Sequence, residues 1–65
     1  MPLSPRQSDV LGLLARGLTA EESGALLGMA PSTVREHSKA VRRKLGARNT
    51  AHAVAIGLRE GLIQP

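Results

Sequence analysis

The stretch LGMAPSTVREHSKAVRRKLG, residues 27–46, decides how this chain folds. Glycine is favoured just past a helix end and proline at the first helical position, so Gly28 closes one helix and Pro31 opens the next. Met29 and Ala30 leave room only for a tight connection between them. At about 100° per residue, Val34, Ser38, Val41 and Leu45 line one face of the segment up to Gly46. Ser32, Arg35, Glu36, Lys39, Arg42 and Arg43 fill an arc of roughly 120° well away from that stripe. An amphipathic helix with a mostly cationic outer face is predicted over residues 31–45.

Working outward, Thr19-Ala20-Glu21-Glu22 is a capping box whose carboxylates favour the positive end of a helix dipole. It starts a helix over about 20–27. Ser4-Pro5-Arg6-Gln7 is a second capping box, and Val10, Leu11 and Leu14, extended by Gln7 and Leu18, recur at helical spacing up to the stop at Gly17. That helix is placed at about 5–16. Asn49 is a good N-cap for a fourth helix over about 50–60, ended by Gly61, and Leu62 and Ile63 are expected to fold back onto the core. The fold class is all-α, one four-helix domain over residues 1–65, with no repeat or linker.

The 65-residue length excludes two domains. A chain this short buries only ~60% of the surface it exposes when unfolded, so it needs staples, a metal, a partner or economical helix packing. There is no Cys, and His37 and His52 alone are too few for a structural zinc site. Without Phe, Tyr or Trp, the 42% hydrophobic content makes a core of Leu, Val, Ile, Ala and Met. The longest apolar stretch is far short of the ~20 residues of a membrane span, and residues 1–5 lack the character of a signal peptide, so a cytoplasmic chain is expected.

The net charge of +4 is unevenly spread. Arg35, Lys39, Arg42, Arg43, Lys44 and Arg48 face only Glu36 within residues 35–48, a local charge of +5, and the remainder of the chain sums to −1. Local basic patches bind polyanions. Two helices across a short glycine-containing turn, the second basic, form the pattern of a helix-turn-helix, whose second helix enters the major groove. A solvated basic face is the bland alternative, but such faces more often mix signs at i and i+4.

Four stretches, LSPRQSDVLGLLARGLTAEE (3–22), LGMAPSTVREH (27–37), RRKLGARN (42–49) and AVAIGLREGLI (53–63), resemble the LuxR or GerE type of helix-turn-helix. The resemblance covers about residues 3–63. It implies a four-helix DNA-binding domain whose third helix reads the major groove and whose fourth often forms a two-fold dimer contact on paired half-sites. By position, Arg35, Glu36 and Lys39 fall where the family looks toward bases. Arg35 and Lys39 suit guanine O6 and N7, and Glu36 suits cytosine N4 or is instead held by a neighbouring cation. Ser32, Thr33, Arg42, Arg43, Lys44 and Arg48 fall to phosphate contacts, with Lys44 pointing farther from the groove face than Arg43. Ala51, Ala55 and Leu58 form a narrow stripe for a homodimer contact, unless that stripe only packs on the first helix.

The chain also departs from the family pattern. Ser23 and Ser38 stand where aliphatic residues are usual, and a buried Ser is expected to use a carbonyl one turn back, Thr19 for Ser23 or Val34 for Ser38. Gly24 replaces a common Ala, at an expected cost of about 1 kcal/mol. Ala30 stands where an N-cap Ser or Thr is common. His37 is read as packing or a phosphate contact, and His52 as an exposed residue where Glu is usual.

The leading expectation is a sequence-specific regulator of transcription made only of its domain for double-stranded DNA, since no receiver or ligand domain precedes Ser4. RNA polymerase or another regulator is a further conceivable contact. The alternatives are a sigma-factor-like promoter-reading domain and a protein-interaction module that masks another regulator. No cofactor is expected, and with neither Cys nor an acid–His pair at useful spacing the chain is read as no enzyme.

Overall fold

The computed structural model describes residues 3–64. Four helices follow one another, α1 (Pro5–Ala15), α2 (Ala20–Leu27), α3 (Pro31–Leu45) and α4 (Thr50–Arg59), with no strand among the described residues. The ends of α2 and α3 fall where the glycine and proline signals put them. α1 and α4 each stop one residue earlier than expected, because the N–H groups of Arg16 and Glu60 turn back onto carbonyls of the last helical turn as cap residues. Residues 1, 2 and 65 of the expected domain lie outside the described residues.

Local chemistry accounts for each start. Ser4 Oγ accepts from the Gln7 N–H at 3.2 Å, and Gln7 Oε1 accepts from the Ser4 N–H at 3.0 Å. Thr19 and Glu22 make the same reciprocal pair at 3.0 and 2.8 Å. Asn49 Oδ1 caps α4 by accepting from the His52 N–H at 2.8 Å. α3 begins without a side-chain cap on Ala30, and Pro31 supplies the starting φ instead. Gly28 takes φ +70°, a left-handed conformation that lets the chain reverse directly from α2 into the turn.

The central cluster joins Leu11 of α1, Val41 of α3, Ala53 of α4 and Ile63 of the tail, with Leu3, Leu45 and Val54 packed against it. Ile63 therefore folds back as expected, and its side chain closes on Gly57. A Cβ at Gly57 would meet Leu11 Cδ2 at 3.0 Å and Ile63 Cγ1 at 3.2 Å, so α4 crosses α1 at the distance a glycine permits. Val10 and Val34 are fully buried.

Two expectations about α2 are corrected. Ser23 is completely buried, yet its Oγ has no hydrogen-bond partner, so the bond to the Thr19 carbonyl is not made. That carbonyl accepts the Ser23 N–H at 2.8 Å as part of the helix ladder. Gly24 is no simple weakness either: a Cβ there would overlap the Met29 carbonyl oxygen. The α2–α3 turn folds directly over this position, with the Met29 N–H donating to the Gly24 carbonyl at 2.9 Å. The propensity cost of Gly24 is set against a close backbone approach that no side chain could share.

The isolated hydroxyl of Ser23 carries a stability prediction. A buried polar group without a partner costs about 1–3 kcal/mol, and alanine keeps the remaining shape while favouring the helix. Ser23→Ala should raise the Tm by roughly 4–8 °C per kcal/mol recovered, read by circular dichroism at 222 nm. A lower or unchanged Tm would show that the hydroxyl is satisfied in solution.

Candidate nucleic-acid interface

α3 is anchored by its buried side, and this fixes what it presents outward. Val34 and Val41 are sealed in the core and Leu45 is half-buried, so the helix cannot roll without exposing them. Ser32, Arg35, Glu36, Lys39 and Arg43 are all exposed, as the helical arc requires. Arg35, Lys39 and Arg43 thus stand on successive turns of one convex face. Glu36 forms no salt bridge with these cations among the described residues. Its carboxylate is open on the same face, beside Lys39 and Arg43.

Arg42 and Arg48 extend this cationic surface to the C-terminal end of α3. Lys39, Arg42, Arg43 and Arg48 border a shallow hollow floored by Gly46 and Ala47. The α3–α4 turn brings Arg48 there, and its backbone N–H donates to Nδ1 of His52 at 3.1 Å. His52 therefore closes the start of α4 with its ring as well as its N–H, a role its exposed position alone did not reveal. Arg42 is half-buried and shares a cleft with Leu14, Val34, Ser38 and Thr50. Ser38 is half-buried at this cleft rather than sealed in the core.

Lys44 and Thr33 lie off the central face. Lys44 sits about 140° around the helix from Lys39. Its Nζ donates to Gln7 Oε1 at 2.8 Å, tying the end of α3 to the start of α1. His37 is half-buried between the outer face and the core.

Like the Lys44–Gln7 contact, the partner of Arg35 was not visible in the sequence. Arg35 Nη2 donates to Glu21 Oε2 at 2.7 Å across 14 residues, joining the first turn of α2 to the cationic face of α3. The carboxyl of Glu21 is held below its ordinary range, first by its own backbone N–H and then by Arg35. Both carboxylates of the TAEE stretch stand in the first turn as expected, Glu22 closing the box with Thr19 and Glu21 reaching across to Arg35.

On α4, Ala53, Ile56 and Gly57 face inward, and Ala51, Ala55 and Leu58 face solvent. Leu58 keeps 42% of its surface exposed. The stripe of Ala51, Ala55 and Leu58 thus remains exposed within a single chain.

The family description "Bacterial regulatory proteins, luxR family" matches residues 1–56. The chain belongs to the LuxR family of bacterial regulatory proteins. This LuxR-family chain is 40% identical over 63 residues to the transcriptional activator protein BjaR1 of Bradyrhizobium diazoefficiens, a match covering 97% of the chain and 26% of that protein. It is 36% identical over 62 residues to the transcriptional regulatory protein MctR of Rhizobium johnstonii, covering 95% of the chain and 29% of the relative. The chain thus spans less than a third of the length of these curated relatives. The solved structure of the transcription factor GerE superimposes with a TM-score of 0.92 at 27% identity, over 95% of this chain and 92% of that one. The four-helix arrangement is therefore the LuxR-family helix-turn-helix fold, and family membership places the chain among regulators of transcription.

Proposed function

We propose that this LuxR-family domain binds double-stranded DNA sequence-specifically, with α3 in the major groove, and regulates transcription in the cytoplasm as a dimer on paired half-sites. The exposed row of Arg35, Lys39 and Arg43, opposite the sealed Val34 and Val41, carries the reading. Arg35, Glu36 and Lys39 are the base-reading groups, since their donors and acceptors suit guanine and cytosine edges. Ser32, Thr33, Arg42, Arg43 and Arg48 contact phosphates and set register, and Lys44 reaches the backbone only by leaving Gln7. The open stripe of Ala51, Ala55 and Leu58 supplies the two-fold contact, which places half-sites about one helical turn apart.

Labelled-DNA anisotropy tests this directly, comparing a site selected from a random library with scrambled DNA across a salt series. A preference of ~1,000-fold or more, falling steeply with salt, is the expected result. Sedimentation on a palindromic site should give two chains per duplex. Weak and equal binding to both sequences would overturn the DNA reading, and one-to-one complexes on the palindrome would remove the dimer.

A further inference from the structure

Of the cations on the α3 face, Arg35 is distinctive because a carboxylate already holds it. Glu21 and Arg35 remain 64% and 59% exposed while paired, so the contact sits at the edge where a duplex would arrive. The carboxylate is fixed from behind by the first turn of α2, where the helix dipole favours negative charge. Its own backbone N–H and then Arg35 both hold its carboxyl below the ordinary range, consistent with a carboxylate fixed in this contact. The pair uses one N–H of the guanidinium, and the rest of the fork is uncommitted.

We propose that Glu21 is a specificity-determining residue: it holds Arg35 away from phosphates and reserves the remaining guanidinium donors for a guanine edge. The inference rests on the DNA-binding reading above. An unpaired arginine near the groove has two acceptors to choose from. A phosphate attracts it by net charge, and a guanine O6/N7 edge attracts it by two aligned hydrogen bonds to neutral atoms. A carboxylate 2.7 Å from Nη2 cancels much of the first attraction and itself repels phosphate. It leaves the second largely intact, and it restricts the side chain before DNA arrives, so less conformational freedom is lost on binding. Lys39 and Arg43 have no such partner among the described residues, consistent with a different use of their charge.

The test is Glu21→Gln in the whole chain, alone and with Arg35→Ala. Anisotropy is read on the selected site, on that site with the Arg35-contacted base pair exchanged, and on random duplex. Glu21→Gln should raise random-duplex affinity ~5-fold and steepen the logarithmic salt slope by about 0.9, the value of one added phosphate contact. It should also cut discrimination at the Arg35-contacted base pair ~10-fold. With Arg35→Ala present, Glu21→Gln should leave discrimination and the salt slope unchanged and raise random-duplex affinity by less than ~2-fold, the share of the screened direct repulsion. The capping box of Thr19 and Glu22 is untouched, so the fold is kept and the Tm falls only by the few degrees that a first-turn charge and an exposed ion pair are worth. Unchanged discrimination in Glu21→Gln, or an equal affinity gain without Arg35, would overturn the proposal while leaving DNA recognition standing. A parent chain with no preferred site would remove both, and that is known before any variant is compared.

Discussion

Replacing Arg35, Lys39 and Arg43 together by alanine should abolish site-specific binding, lowering affinity for the selected duplex by about 1,000-fold. In the proposed reading, two base contacts, each worth about 1–3 kcal/mol of discrimination, and one phosphate contact are removed at once. The single variants should divide this loss by kind. Arg35→Ala should relax preference at one base pair, and Arg43→Ala should weaken all sequences alike and flatten the salt slope by about 1. All three side chains are exposed and none is part of the core. The Tm should therefore stay close to that of the parent chain. Anisotropy with a parallel thermal melt checks both halves, and equal changes in slope and base preference from the two single variants would refute the division of roles.

Leu11→Ala should leave the chain largely unfolded at 37 °C. Leu11 is the largest of the fully buried side chains and touches the cluster from which all its packing partners radiate, including Val41, Ala53 and Ile63. Removing a buried leucine side chain costs about 2–5 kcal/mol. A core in a domain of this size supplies no more than about 3–5 kcal/mol. The cavity cannot be filled cheaply, because Gly57 opposite has no side chain to move into it. Circular dichroism at 222 nm should show the loss of helix, and Leu11→Met, which conserves volume, should keep the fold at a cost below about 1.5 kcal/mol. A folded Leu11→Ala chain with an unchanged Tm would mean that the cluster is not the seat of stability.

The helices were legible because their signals are local. Ser4, Thr19 and Asn49 announce starts, Gly28 and Gly46 announce stops, and the period of Val34, Val41 and Leu45 orients α3 without any tertiary information. The cationic face follows from the same period. What the residues did not reveal depends on distances between elements. The pairing of Glu21 with Arg35 spans 14 residues, and that of Lys44 with Gln7 spans 37. Gly24 read as a weak helix residue because its reason lies in the Met29 carbonyl folded over it. Ser23 read as a hydroxyl with a carbonyl to use, and only its burial without a partner shows the conflict between helix and core.

The return of the tail has a consequence for how the domain can be handled. Leu3 and Ile63 rest on the same cluster, and that cluster includes the inward side chain Val41 of α3. Leu3 and Ile63 therefore pack on the inward side of α3, away from its exposed cationic row. A fluorophore or a surface tether placed beside Leu3 or Gln64 should leave the exposed Lys39 and Arg43 unobstructed.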